Sequence, residues 1–91
     1  MTRIRWTTDA ANQFEAIIQY IYKDNPEAAH KTAEAILDRI ANLEVFPRLG
    51  RPSEDVEGTR ELHCPPYVII YRLKDDVAEI LFIWHGAQDW R

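Results

Sequence analysis

The chain has 91 residues and a formal net charge of −4, from 11 Lys and Arg against 15 Asp and Glu. That length holds one domain, residues 1–91, whose core is too small to enclose a deep ligand pocket. Its acidic balance also argues against strong nucleic-acid binding by the chain alone, because phosphate contacts supply most of that affinity.

Hydrophobic residues at 46% and charged residues at 29% are a globular composition rather than a disordered one. The longest apolar run, Val77 to Trp84, is interrupted by Glu79 and falls well short of the roughly 20 residues that cross a bilayer, so no membrane role is expected. The N-terminal residues lack an apolar stretch long enough for a signal peptide. Cys64 stands alone, so no intrachain disulfide can form. These features lead us to expect a cytoplasmic protein. Cys64 reads as a small half-buried side chain rather than a nucleophile.

Residues 2–6 alternate weakly around Ile4 and Trp6 and predict a short strand. Thr7 or Thr8 then caps a helix, with Asp9 near its positive end. Ala10, Phe14, Ile17, Ile18, Ile21 and Tyr22 give that helix an apolar face. Asp24-Asn25-Pro26 ends it and starts the next, with Asn25 suited to a left-handed cap and Pro26 to a first helical turn. Ala29, Ala33, Ile36, Leu37, Ile40 and Leu43 continue at helical spacing until Phe46-Pro47. Two helices with almost no linker predict an antiparallel hairpin.

Residues 47–58 hold Pro47, Gly50, Pro52 and Gly58 among charges, and predict a long loop without regular structure. Three strands follow, Thr59 to Cys64, Tyr67 to Leu73 and Val77 to Trp84, with a polar turn at Lys74-Asp75-Asp76. The expected fold class is α+β in the order β-α-α-β-β-β. The last three strands should be antiparallel and both helices should lie on one face, with the placement of the first strand left open. The expected core is Ile4, Phe14, Ile17, Ile18, Ile21, Ala33, Ile36, Leu37, Ile40, Leu43, Leu62, Val68, Ile70, Ile80 and Phe82. No cofactor is expected. No metal is expected either, since His30 and His63 lack ligand spacing.

Several pieces together resemble the RelE/ParE family of toxins from type II toxin–antitoxin modules. They are Asn25-Pro26 with Ala28-Ala29; Ile40 and Leu43 before Pro47 and Gly50-Arg51; Gly58-Thr59-Arg60-Glu61-Leu62; Tyr67-Val68-Ile69-Ile70-Tyr71-Arg72; and Ile80-Leu81 leading to His85-Gly86-Ala87-Gln88-Asp89-Trp90. The resemblance covers nearly the whole chain. It implies a strand–helix–helix–sheet fold, a cognate antitoxin, and growth arrest when that antitoxin is lost.

The family has two main activities. RelE-like members cleave mRNA on the ribosome, whereas ParE-like members bind and poison DNA gyrase. Ribonuclease chemistry needs proton-transfer groups and cations for the developing phosphorane. The candidates are Arg48, Arg51, Arg60, Arg72, Tyr71 and His85, with Arg60, Tyr71 and His85 as the catalytic set if the chain is a nuclease. That inventory is thin. Lys74 is the one lysine of the C-terminal half, Gly86 follows His85 where nucleases often carry Arg, and Trp90 cannot exchange a proton. Glu54, Asp55, Glu57 and Glu61 also weaken the arginine field. The balance favours the ParE-like branch, with Arg51, Arg60, Tyr71, Arg72, His85, Gln88 and Trp90 as partner-contact candidates. The alternatives are a ribosome-dependent nuclease and a non-toxic interaction domain.

Overall fold

A computed structural model describes residues 1–86. Strand β1 (Arg3–Trp6) leads into helices α1 (Thr8–Asp24) and α2 (Pro26–Ala41). After a 3-10 turn at Asn42–Glu44 come β2 (Arg51–Pro52), β3 (Arg60–Cys64), β4 (Tyr67–Lys74) and β5 (Val77–His85). The sheet order is β1-β5-β4-β3-β2. β3, β4 and β5 are antiparallel, and β1 runs parallel to β5 at the edge.

Local chemistry sets the helix boundaries. The Thr7 hydroxyl accepts from the Ala10 amide at 3.1 Å, a side-chain N-cap. Asn25 serves both helices. Its amide closes α1 on the Ile21 carbonyl at 2.9 Å, and its Oδ1 accepts from the Ala28 amide at 3.1 Å to open α2. Asn25 adopts an extended conformation (φ −153°) rather than the left-handed one expected, because Pro26 disfavours other geometry in the residue before it. The second helix ends at Ala41, earlier than its apolar spacing predicts, and the 3-10 turn carries Leu43 into the core.

Both helices pack on one face of the sheet. Ala10, Ile36, Ile40 and Leu43 meet Leu62, Ile69, Tyr71, Ala78, Ile80 and Ile83 in one cluster. Ile4, Trp6, Phe14 and Ile17 lie at its margin. Six expected core positions are corrected. Ile18, Ile21, Ala33, Val68 and Phe82 are only half-buried and lie outside this cluster, while Leu37 remains 45% exposed. Ile69, Tyr71 and Ile83 fill the interior in their place.

The physical reason for the Phe82 error is a bulge. Ile70 pairs with Phe82, but Tyr71 pairs with Ile80, so Leu81 is an extra residue in β5. Alternation therefore slips by one position there. Ala78 and Ile80 face the helices before the bulge, and Ile83 does so after it. A second correction lies in the long loop, where Arg51 and Pro52 pair with Glu61 and Arg60 as a two-residue edge strand. Proline is tolerated there because an edge leaves its missing donor unneeded.

Ile83→Ala should cost about 2–5 kcal/mol of unfolding free energy. Phe82→Ala, although it removes more side chain, should cost clearly less. Urea titrations of the two variants check this, and equal losses would contradict the assignment of faces.

Candidate functional site

Three surfaces carry the chemistry that the elements leave uncovered. The first is a groove between the helical hairpin and the β1 edge. Its two open sections, about 430 and 480 Å³, share Trp6 and Leu37. Phe14 and Ile18 line one section, and Ile4 and Ile40 line the other. Trp6 and Phe14 meet edge to face at 5.5 Å. The groove is apolar because the faces of α1 and α2 are wider than the sheet they cover, so one flank of each stays half-exposed. Glu15, Glu44 and Arg3 sit at its margins.

The second surface is the loop between the 3-10 turn and β2. Tyr71 is fully buried, and its hydroxyl spans the loop's base. It donates to the Pro47 carbonyl at 2.8 Å and accepts from the Gly50 amide at 2.9 Å. Arg60 adds Nε to the Gly50 carbonyl at 2.8 Å and Nη2 to the Arg48 carbonyl at 3.3 Å. Gly50 is required by this close approach, since a Cβ there would lie 2.7 Å from the Tyr71 ring and from the Glu61 carbonyl. Arg60 and Tyr71 are cross-strand partners, so the sheet register itself builds the clamp.

The third surface is the sheet face away from the helices. Glu79 lies at its centre, 12% exposed, between Arg72 and Arg5. Arg72 reaches its Oε1 with Nε at 3.1 Å and Nη2 at 2.6 Å, and Arg5 reaches Oε2 at 3.0 Å. Hydrogen bonding from Arg72 is the main cause that holds the Glu79 carboxyl below its ordinary 4.5. Partial burial opposes it, and the charges of Arg72 and Arg5 add to it. Glu61 forms a second cluster. Ser53 Oγ donates to it at 3.1 Å, His63 Nε2 stands at 3.3 Å and Arg51 at 3.6 Å. Burial pushes the Glu61 carboxyl up, but His63, Ser53 and Arg51 together outweigh it and leave it lowered. Phe82 and Trp84 stack at 5.0 Å on the same face, level across β4 with Glu61 and His63.

The sequence-derived candidates therefore divide. Arg60, Tyr71 and His85 project to the helix side, whereas Arg51 and Arg72 project to the open face. Tyr71, expected among partner contacts, is instead interior and its oxygen is committed to the loop. His85 is exposed and pairs in register with Tyr67, its ring edge-on to that tyrosine at 5.5 Å. Tyr67 lies four residues along β4 from Tyr71, which places His85 roughly 13 Å from the Arg60–Tyr71 pair. Gln88 and Trp90 lie outside the described residues. Burial raises the Cys64 thiol pKa, against a smaller opposing effect of Arg39, which lowers its nucleophilicity at neutral pH. The hairpin groove was not singled out residue by residue in the sequence, although the half-filled apolar stripe of α1 carried its signal.

The family model described as the ParE toxin of the type II toxin–antitoxin system parDE matches residues 4–90. The protein Y4kP of Sinorhizobium fredii is 41% identical over 90 residues, covering 97% of this chain and 92% of its own length. Toxin RelE2 of Caulobacter vibrioides is 34% identical over 89 residues, covering 97% of this chain and 99% of its own. A chain from the solved chromosomal ParDE system of P. aeruginosa superposes with a TM-score of 0.82 at 31% identity, covering 93% of this chain and 96% of that one.

A carboxyl with a depressed pKa adds stability that is present above its unfolded value of 4.5 and is lost as pH falls through the folded value. Glu79→Gln should therefore lower the thermal midpoint at pH 7, and the gap to the parent should close between about pH 5 and 3. A gap that stays constant across that range in melting curves would contradict the clasp.

Proposed function

The chain belongs to the ParE toxin family of type II toxin–antitoxin systems, and we propose that it arrests growth by binding and poisoning DNA gyrase unless a cognate antitoxin neutralises it. The carrying observation is the division of the acid–base and cationic candidates. Arg60 and Tyr71 are spent on loop carbonyls, His85 stands far from them, and Arg72 and Arg51 are paired to carboxylates on the opposite face. A phosphorane needs converging cations and a positioned proton donor. A protein-binding poison needs neither. The action requires a cytoplasmic location.

The antitoxin is assigned to the hairpin groove. Its apolar lining suits the apolar stripe of an amphipathic segment, packed helix-in-groove. An acidic toxin offers little long-range attraction, so packing outweighs charge in this contact.

A second reading, ribosome-dependent mRNA cleavage, is favoured by the likeness to toxin RelE2. Two assays on purified protein separate the readings. Inhibited supercoiling or trapped cleaved DNA with gyrase, and intact mRNA on translating ribosomes, is the expected result. Ribosomal cleavage that depends on Arg60 or His85 reverses the order. A non-toxic interaction domain would leave colony formation unchanged on induced expression.

Leu37, shared by both groove sections, should be decisive for the antitoxin. Leu37→Glu should weaken antitoxin binding at least about tenfold with little change in melting temperature, and the affinity of the parent should fall only weakly with added salt. Titration calorimetry at two ionic strengths checks both, and a steep salt dependence would refute the packing argument.

A further inference from the structure

The two edges of the sheet are finished differently. At one, β2 ends on Pro52, whose ring removes a donor, and the Ser53 amide that follows is taken by the Thr59 carbonyl at 2.9 Å. At the other, β1 is bare. The Arg3 amide donates to the Asp76 carbonyl at 2.7 Å and the Thr7 amide to that of Ile80 at 3.0 Å, so the odd-numbered residues turn their backbone groups to β5. The two-residue period of a strand aims those of Ile4 and Trp6 outward. Thr2 shares that outward aim, and its amide is met by the Glu44 carbonyl at 3.0 Å. Among the described residues nothing meets the outward backbone groups of Ile4 and Trp6.

We infer, on the strength of the antitoxin reading above, that an extended segment of the antitoxin adds to β1 as a further strand of the sheet, with apolar residues alternating with acidic ones. Side chains of an added strand stand beside those of β1 on the same faces. On the helix side its neighbours are Ile4 and Trp6, and it borders the groove section of about 480 Å³ whose far wall holds Leu37 and Ile40. Apolar residues belong there. On the open face its neighbours are Arg3 and Arg5, both well exposed. Arg5 shares the single carboxylate of Glu79 with Arg72, which leaves one guanidinium charge unmatched. Arg3 reaches Asp76 at 3.4 Å, an exposed pair. Acidic residues belong on this side. Either strand direction gives the pattern, because opposite residues share a face in both. A second copy of this chain fits poorly. Pairing β1 with β1 sets arginine against arginine, and like charges opposite one another destabilise a sheet. A helix cannot serve the edge, since its backbone groups are spent within itself. The section lined by Phe14 and Ile18 receives the helix, and the same chain continues extended along β1. Exposed ion pairs add little affinity, so they fix the register while main-chain bonds and packing hold the segment.

The test uses the full chain with the antitoxin encoded beside it. Amide exchange at Ile4 and Trp6, read by NMR, should slow at least about a hundredfold when antitoxin saturates the chain. Ile4→Pro removes the outward donor and the side chain without touching a bond to β5, whereas Ile4→Ala removes the side chain alone. Ile4→Pro should bind antitoxin at least about tenfold more weakly than Ile4→Ala. Fast exchange at both amides in the saturated complex, or equal affinities of the two variants, overturns the added strand and leaves the antitoxin in the groove. Amides already slow in the free chain, together with a dimer in light scattering, overturn it in favour of a second copy. Should Ile4→Pro fail to fold, amide exchange in the parent decides alone. An antitoxin that does not bind the parent overturns the added strand and the antitoxin reading together, and titration calorimetry on the parent tells that failure from the others.

Discussion

The extra residue at Leu81 determines which side chains β5 gives to the core and which it gives to the surface. A bulge leaves backbone groups without ladder partners, and a buried unpaired group costs about 1–3 kcal/mol. Helix α1 supplies the missing partners. The Thr7 hydroxyl lies 2.9 Å from the Ile80 carbonyl and 3.0 Å from that of Leu81, and Gln13 Oε1 accepts from the Ile83 amide at 2.8 Å. Thr7 also caps the helix. The same few atoms thus begin α1, seat it against the sheet and satisfy the irregular strand. Ile80 and Ile83 can then both face the helices, and Phe82 is directed to the other side, where it stacks on Trp84.

A parallel economy governs the far end of the sheet. The loop after α2 has no ladder of its own, so its carbonyls and amide are met by side chains of β3 and β4. In a small core a buried tyrosine is acceptable only when its hydroxyl is satisfied, and Tyr71 achieves this with the very backbone it supports. No buried side-chain polar atom among the described residues lacks a partner. Rigidity at both ends of the sheet therefore comes from cross-links between irregular backbone and interior side chains, with regular packing between them.

The elements were legible wherever the signal was local. Thr7, Asn25-Pro26 and the spacing of Ile36, Ile40 and Leu43 act within a turn or two of helix, so a sequence reading finds them. The bulge was not legible. Ile80 to Trp84 is apolar at every position, and an unbroken apolar run carries no phase to show where alternation slips. The edge strand at Arg51-Pro52 is too short to leave a pattern. The site was harder still. Arg60 and Tyr71 stand out as polar groups on strands, but whether they meet a substrate or a carbonyl depends on where the loop backbone passes. The resemblance carried the family, while the residue roles required the fold.

The distribution of apolar surface links stability to neutralisation. Phe14, Ile17, Ile18 and Ile21 are only half-buried, and Leu37 and Trp6 look into the groove. A domain of this size can ill spare such surface, because the fraction it buries is already low. On the reading proposed above, the antitoxin completes the burial. A partner present at 100 times its Kd adds about 2.7 kcal/mol to the folded state, a large share of the roughly 5–9 kcal/mol that a domain of this length holds alone. The free toxin is then the less stable form. Its activity depends on a fold that survives without the partner that best supports it, and the cross-links at Thr7, Gln13, Arg60 and Tyr71 are what hold that fold when the groove stands open.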